Sequence, residues 1–348
     1  MTALRPERLE SVSIPVATGW LLAECMQAKG KQDLWTRRRP GVLLALREQA
    51  VIQSAESSNR IEGVTVAPER LRPIVLGRAR PRDRSEEEVV GYRRALNWIF
   101  SRKRPIPIEP ATILHLHRLA QSGMSGDAGQ WKARDNEIVE ILPNGERRVR
   151  FVPTPAKETP KTMERLCAAY RDVTKADRAP ALIAIATFVL DFLCVHPFRD
   201  GNGRVSRLLT TLLLQDAGFA VARYVSLERL IEDTKDDYYR VLHECSAGWR
   251  EGTNELVPWW NYFLSTLRRA YLEFERQVES ADVRGGKNDL VRRTIEAQVG
   301  PFSVAEIQAS CPSVSLPLIK KVLGDLKSEG RVTLVGRGRG ALWRVTPS

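Results

Sequence analysis

Cysteine is scarce in this sequence of 348 residues, and its spacing excludes two common kinds of site. The five cysteines are scattered and odd in number, with no Cys-x-x-Cys pair: Cys25, Cys167, Cys194, Cys245 and Cys311. A disulfide framework or a structural zinc site is therefore not expected. The expected compartment is a reducing cytoplasm.

Long apolar segments are also missing. The first ten residues, MTALRPERLE, lack the apolar core of a signal peptide. The most apolar run, residues 179–195, is interrupted by Pro180, Thr187 and Asp191. It is short for a membrane span and predicts a buried central helix, so no membrane association is expected.

Acidic residues are too few to balance the basic ones, which leaves a net charge of +12. Such a balance favours anionic partners such as nucleotides, nucleic acids or acidic surfaces, although a solvated basic surface explains it equally well. With 43% hydrophobic and 28% charged residues, the composition is that of a globular protein. The length predicts two or three domains.

Helical patterns dominate, so the predicted fold class is mainly α. They cover residues 41–60, 66–80, 85–100, 110–121, 160–173, 180–195, 204–217, 227–246 and 255–278. We expect Ser85 to cap the third of these, with acidic residues in its first turn. The alternating stretches 136–141 and 148–152 flank the turn Pro143-Asn144-Gly145 and predict a β-hairpin.

A glycine-rich loop joins two predicted helices after residue 195. Pro197 cannot continue the preceding helix, and Gly201 and Gly203 permit backbone conformations with positive φ. Loop amides and the N-terminus of the next helix then point at one place, which predicts an anion site. A helix and not a strand precedes the loop, so a dinucleotide fingerprint is excluded, and the chain has no Walker A lysine pattern.

Charged residues around this loop suit phosphate chemistry. Arg204 and Arg207 lie three positions apart and can reach the same anion. Asp200 offers a hard oxygen ligand for Mg²⁺ beside the phosphates. His196 stands at the rim, where an imidazole pKa of roughly 6.5 suits a general base.

Residues 196–207 read HPFRDGNGRVSR and resemble the HPFx(D/E)GNGRxxR signature of Fic-domain proteins at every specified position. The predicted hairpin, within residues 134–153, resembles the Fic flap. Residues 129–132 resemble the Gly-x-(Tyr/Trp)-Arg segment that leads into the flap, with Lys132 in place of the arginine. Residues 237–242 resemble a tyrosine-bearing helix of the family, and residues 40–270 are Fic-like as a whole.

The resemblance implies a protein adenylyltransferase. Such an enzyme transfers AMP from ATP to a Ser, Thr or Tyr hydroxyl of a target protein, which docks on the flap. The implied roles are His196 as base, Asp200 as Mg²⁺ ligand, Gly201, Asn202 and Gly203 as cradle of the α- and β-phosphates, Arg204 and Arg207 at the β- and γ-phosphates, Phe198 as anchor of the loop, and Tyr239 in the adenine pocket. Removal of AMP from a target is the alternative reaction of such a site.

Residues 58–63 match the inhibitory pattern (S/T)xxxE(G/N) of the family. Ser58 and Glu62 lie four apart and share one helix face. The resemblance implies that Glu62 pairs with Arg207, occupies the γ-phosphate site and inhibits transfer. The alternative is an ordinary solvated glutamate beside Gly63, a residue typical of helix C-termini.

The last sixty residues predict a separate small domain. Residues 287–348 contain ten Lys and Arg against five Asp and Glu. Helices are expected at 289–298, 303–309 and 315–328, with a capping box at Ser303 and Glu306, before strands at 331–335 and 341–345. This order resembles a winged helix. It would contact DNA phosphates through Lys320, Lys321, Arg337 and Arg339, or serve instead as a packing module.

The expected organisation is a helical region at 1–100, a catalytic core at 101–278, a linker at 279–287 and the winged helix at 288–348. A homodimer is a further possibility, because the aromatic cluster around Trp259 and Trp260 predicts either core or an oligomer contact. His115 and His117 face different directions on a helix, so a shared metal is not expected. A nucleotide-sensing DNA-binding regulator is the alternative to an enzyme.

Overall fold

The computed structural model describes residues 3–38, 40–102, 104–121, 126–141, 145–283, 287–312, 314–336 and 341–346. Within them the protein is mainly α, as predicted. The helices are α1 (Pro6–Ser11), α2 (Val16–Arg38), α3 (Pro40–Ile61), α4 (Pro68–Val75), α5 (Arg84–Phe100), α6 (Pro110–Gln121), α7 (Thr159–Lys175), α8 (Ala181–Val195), α9 (Asn202–Asp216), α10 (Leu227–Glu232), α11 (Lys235–Ser246), α12 (Val257–Val283), α13 (Lys287–Glu296), α14 (Val304–Ser310) and α15 (Leu316–Ser328). The strands are β1 (Ile138–Ile141), β2 (Arg147–Phe151), β3 (Val332–Val335) and β4 (Leu342–Val345).

Helix α8 forms the centre of the main body. Nearly all of its side chains are buried, as its apolar sequence predicts. Asp191 is the charged exception, and its carboxylate accepts hydrogen bonds from the backbone N–H groups of Ala3 and Leu4 and from the Trp249 indole. Burial is costly for a carboxylate, and these three donors offset the cost. None of the described helices is long and apolar enough to cross a lipid bilayer.

Helix α5 begins at Arg84, earlier than predicted, and the predicted cap at Ser85 is wrong. Asp83 is the N-cap, and its side chain accepts a hydrogen bond of 2.9 Å from the Glu86 N–H. A carboxylate at this position also interacts with the positive end of the helix dipole, which a serine hydroxyl does less well. The arginine at position 84 therefore belongs to the helix.

The single helix predicted over 227–246 is two helices. Helix α10 ends at Glu232 and α11 begins at Lys235. Thr234 between them has non-helical dihedral angles, and its hydroxyl donates to the Leu230 carbonyl at 3.0 Å. Helix α11 starts anew with Asp236 and Asp237 in its first turn, where carboxylates favour a helix N-terminus.

The flap is an antiparallel hairpin in which Val139 lies opposite Val149 and Ile141 opposite Arg147. Its strands confirm the predicted hairpin. Pro143 and Asn144 of the predicted turn lie outside the described residues. The segment before β1 borders the loop between α8 and α9, because the Asn136 side chain donates to the Phe198 carbonyl at 3.1 Å.

The C-terminal residues form a second apolar cluster from α13, α14, α15 and β3. The capping box at Ser303 and Glu306 is present as predicted. The three helices and the β3–β4 hairpin follow the predicted order, while Arg337 and Arg339 lie outside the described residues. The assignment as a winged helix and its binding of DNA stay predictions.

This C-terminal unit contacts the main body through α4 and the segment after it. Arg78, in the loop after α4, forms an ion pair with Glu306 of α14. A side chain at Gly300 would place its Cβ atom 2.3 Å from the Pro68 carbonyl oxygen, which only glycine avoids. The predicted domain boundaries stay predictions: α12 extends to Val283 within the proposed linker, and residues 284–286 lie outside the described residues.

Candidate active site

His196 ends α8 in a left-handed conformation, with φ of 50°. Its backbone N–H still donates to the Phe192 carbonyl at 2.9 Å, and Pro197 then turns the chain away. Phe198 is fully buried and stacks on the His117 ring, with centroids 3.7 Å apart. This confirms Phe198 as an anchor of the loop and gives His117 a structural role.

Asn202 closes the loop by bonding to its start. Its side-chain oxygen accepts from the Phe198 N–H at 2.9 Å, and its amide donates to the Phe198 carbonyl at 2.8 Å. The buried side chain of Asn202 therefore shapes the loop, whereas the predicted phosphate cradle consists of backbone groups. Gly201 has φ of 82° and lies against Gln121, where a Cβ atom would approach within 2.6 Å.

A cavity of about 320 Å³ lies between this loop, the flap and α11. It brings together five of the predicted site residues: Glu62, His196, Gly203, Arg207 and Tyr239. Asp200 and Arg204 are not among its lining residues. Tyr239, for which an adenine pocket is predicted, lines the cavity together with Tyr238.

Arg207 is buried, and its guanidinium is bound by two residues of α3 and the turn after it. Its guanidinium donates to the Glu62 carboxylate at 2.7 Å and to the hydroxyl and carbonyl oxygens of Ser58 at 2.8 Å each. The predicted pairing of Glu62 with Arg207 is thus present in the structure. Burial lowers the pKa of Arg207, but the charge of Glu62 outweighs it and raises the pKa above its usual value.

Arg204 belongs to a closed ring of four charges. It donates to Glu88 at 2.7 Å and to Asp200 at 3.4 Å, while Arg84 donates to Glu88 at 2.8 Å and to Asp200 at 3.1 Å. Glu88 and Arg204 are both buried, whereas Arg84 is 60% exposed. Burial raises the pKa of Asp200, but Arg204, the Gly201 N–H and Arg84 outweigh it and hold the pKa below its ordinary value.

Glu88 and Arg84 were not predicted as residues of the site. Their spacing of four on one helix was a visible signal for an ion pair between them. Nothing in the sequence links them to Arg204, which lies 116 residues beyond Glu88.

His196 carries a neutral imidazole. Burial lowers its pKa to about 4, with a further contribution from the charge of Lys132. A neutral ring at pH 7 can accept a proton, as a general base must.

Lys132 supports the backbone on both sides of His196. Its ammonium group donates to the Asn136 side chain at 2.7 Å and to the Val195 carbonyl at 3.3 Å, and its backbone N–H donates to the Pro197 carbonyl at 2.9 Å. Burial lowers the pKa of this lysine to about 8. Lys132 thus connects the lead-in of the flap to the end of α8.

The residues present fit a Mg²⁺ ion that is shared with a phosphate. Asp200 is 46% exposed and offers a carboxylate, and the described residues contain no group of three His, Cys, Asp or Glu side chains that could hold a metal alone. Mg²⁺ is commonly held by one or two carboxylates together with phosphate oxygens and water. A single aspartate beside a phosphate loop suits that type of site.

The central segment of the chain is similar in sequence to known proteins. Residues 107–214 match the sequence model of the Fic/DOC family. The chain is 26% identical over 213 residues to the protein adenylyltransferase Fic of Nematostella vectensis, covering 58% of this chain and 44% of that protein. It is 40% identical over 65 residues to the protein adenylyltransferase fic-1 of Caenorhabditis elegans, covering 19% of this chain and 11% of that protein.

Solved structures share the fold. A Fic family protein from Desulfovibrio desulfuricans G20 superimposes with a TM-score of 0.61 and 22% identity, over 97% of this chain and 98% of that one. Fic-1 from C. elegans gives a TM-score of 0.56 with 18% identity, over 77% and 73% of the two chains. The chain spans less than half the length of the Nematostella relative and about a tenth of the C. elegans one.

Proposed function

This chain carries a Fic domain, and from that premise we propose that it transfers AMP from ATP to a Ser, Thr or Tyr hydroxyl of a target protein. The observation that carries the proposal is one cavity in which a neutral His196 faces the glycine-rich turn at Gly203 and the buried Arg207. A base, a phosphate loop and a cationic side chain are the groups that phosphoryl chemistry requires.

In the proposed reaction His196 accepts the proton of the target hydroxyl. The hydroxyl oxygen forms a bond to the α-phosphorus of ATP as the bond to the bridging oxygen breaks, and pyrophosphate leaves. Arg204 stabilises charge on the β-phosphate, and Arg207 binds the γ-phosphate once it is free to do so. A Mg²⁺ ion at Asp200 would supply further neutralisation of phosphate charge.

The target is proposed to dock on the flap. An extended segment adds to the edge of the hairpin through main-chain hydrogen bonds, which align a hydroxyl with little selection by side chains. Positioning of this kind supplies much of the rate enhancement in phosphoryl transfer.

Glu62 is proposed to inhibit the transfer. Its carboxylate takes the contacts of Arg207 that a γ-phosphate would need, and it lies so close to Gly203 that a Cβ atom there would be 2.1 Å away. A second candidate reaction uses the same position: Glu62 lines the cavity with His196 and could orient water for the removal of AMP from a target.

Intact-protein mass after incubation with Mg²⁺ and ATP tests the proposal. We would compare the wild type, Glu62→Gly, and Glu62→Gly combined with His196→Asn. The Glu62 variant should gain whole AMP units, and the double variant should gain none. A labelled-ATP assay on cell lysate extends the test to other acceptors, and it would overturn the proposal if no protein is labelled by a variant that still binds ATP.

DNA binding by the C-terminal unit remains a separate prediction. Lys320 and Lys321 are exposed on α15, where they are available to phosphates. A salt-dependent affinity for duplex DNA would support it, and an absence of binding at low salt would exclude it.

A further inference from the structure

Three neighbouring cavities lead from His196 to the surface beside the N-terminal end of α7. The cavity at His196 shares Arg150 and Phe151 with a second cavity of about 330 Å³, which lies between β2 and the loop after α11. The second shares Trp249 and Arg250 with a third cavity of about 610 Å³. An extended peptide that leaves the cavity at His196 along β2 would therefore pass the second cavity and reach the third.

We call this third cavity the basic cleft. It is lined by Arg5, Thr154, Pro155, Glu158, Thr162, Arg165, Ala169, Trp249 and Arg250. Three arginines stand against a single glutamate, so its potential is positive. Several positive charges around one concave surface attract and orient carboxylates.

The structure fixes one of these arginines at the end of the flap. The Arg250 guanidinium donates to the Val152 carbonyl at 3.2 Å and to the Pro153 carbonyl at 2.5 Å. Its charge therefore stays where β2 ends. Arg165 is exposed on α7 and can move toward a ligand.

The lining favours a protein ligand over a nucleic acid. Trp249 is only 3% exposed, and its indole N–H is bound to Asp191, so its ring offers no free face for a base. Single-stranded nucleic acids are usually held by such stacking platforms in addition to positive charge. Carboxylates need the charge alone, which the arginines of the lining supply.

We propose that the basic cleft binds acidic residues of the target protein, on one side of the hydroxyl that receives AMP. The inference rests on the proposed transfer and adds a substrate class to it. Thr154, at the cleft, lies three residues beyond Phe151, at the catalytic cavity. At about 3.3 Å per extended residue, the preferred acidic residues should begin roughly three positions from the hydroxyl.

The acceptor preference of Glu62→Gly, the variant in which inhibition should be relieved, tests whether the basic cleft binds acidic residues. Peptides with a Ser, Thr or Tyr acceptor would carry Asp, Ala or Lys at each flanking position, and sites labelled in cell lysate would be mapped in parallel. Acidic residues on one side should raise the transfer rate by about twofold to fivefold each, the range of a solvent-exposed ion pair.

Two charge reversals on α7 locate the effect. Arg165→Glu, added to Glu62→Gly, should abolish the preference for Asp, because two arginines then stand against two glutamates in the lining. Lys175→Glu is the matched control, because Lys175 is exposed at the far end of the same helix and does not line the cleft. It should leave the preference intact.

The outcomes separate this inference from the function on which it rests. Transfer to peptides or lysate proteins without an acidic preference, or with one that survives Arg165→Glu, would overturn the inference alone. Competition by oligo-dT that depends on Arg165 would overturn it in favour of a nucleic-acid ligand. An absence of transfer to any acceptor would overturn the proposed function as well.

Discussion

The carboxylate of Glu62 lies 2.7 Å from the guanidinium of Arg207, although the two residues are 145 positions apart in the sequence. Glu62 is 31% exposed, whereas Arg207 is 3% exposed. The pair is therefore asymmetric: its acidic member can turn to solvent, while its basic member is fixed by Ser58. An anion that enters the cavity competes with Glu62 for a cation that is already in place.

Replacement of Glu62 should increase AMP transfer. Glu62→Gly frees the guanidinium of Arg207 for the γ-phosphate, and we expect the initial rate of transfer to rise at least tenfold, an effect of roughly 1.4 kcal/mol. The measurement is incorporation of labelled AMP at a fixed concentration of ATP. Glu69→Ala, at an exposed position of α4, is the control and should match the wild type. Equal rates for both variants would contradict the inhibitory role.

An alanine at position 203 should depend energetically on Glu62. Its Cβ atom would meet the Glu62 carboxylate at 2.1 Å and a nitrogen of Arg207 at 3.2 Å. We expect Gly203→Ala to lower the free energy of unfolding by at most about 1 kcal/mol, because the Glu62 carboxylate can turn to solvent, and by less in the Glu62→Gly background. Urea unfolding of the four proteins of this cycle gives the coupling. Additive effects would show that the two side chains do not compete for one space.

Glu88 should matter more for stability than its exposed partner does. Glu88→Ala leaves the buried Arg204 with Asp200 as its remaining ion-pair partner at 3.4 Å, which should cost about 3–5 kcal/mol of unfolding free energy. Arg84→Ala removes a largely exposed side chain and should cost at most about 1 kcal/mol. Thermal and urea unfolding measure both. Similar losses of unfolding free energy in the two variants would mean that the buried ion pair stabilises the protein no more than the exposed one.

The stability of the protein should depend on pH between about 4 and 6.5 through two histidines. Burial lowers the pKa of His117 and of His196 to about 4 each. The unfolded state then binds more protons in this window, so stability is fully present above pH 6.5 and is lost as the pH falls toward 4. For His117, whose Nδ1 accepts from the Gly129 N–H, the loss should be on the order of 3 kcal/mol.

Asp191 should change the pH dependence of stability in the opposite direction to the two histidines, so its replacement is the control. Burial raises its pKa to about 6, so its contribution to stability is present below about pH 4 and is lost as the pH rises to 6. Asp191→Asn should therefore steepen the loss of stability on acidification, although it also lowers stability at pH 7. Urea unfolding from pH 4.5 to 7 tests this, and an unchanged slope in the variant would contradict it.

Local features of the fold were predictable because their causes are local. Pro197 and Gly201 identify the turn after α8, alternation identifies the flap, and Ser303 with Glu306 identifies the start of α14. Errors arose at helix ends, where one side chain can decide between close alternatives, as Asp83 did at the start of α5. Sequence patterns indicate which residues favour a helix, but they do not indicate which of two neighbouring residues will form its N-cap.

The site was predictable to a different degree. A match over twelve consecutive residues identified the loop, and a second pattern identified Glu62. Side chains that act across the fold left no such signal. The pairing of Glu88 with Arg204 and the support of His196 by Lys132 depend on helix packing, which a single sequence does not reveal. Asn202 was assigned to phosphate binding, although its buried side chain is occupied with Phe198.

The left-handed backbone at His196 determines which replacements are informative there. Alanine would remove the imidazole and would also have to hold a conformation that costs most L-residues about 1–2 kcal/mol. Asparagine enters this region more readily. An inactive alanine variant would therefore combine a missing base with a displaced phosphate loop, whereas an asparagine variant reports on the base alone.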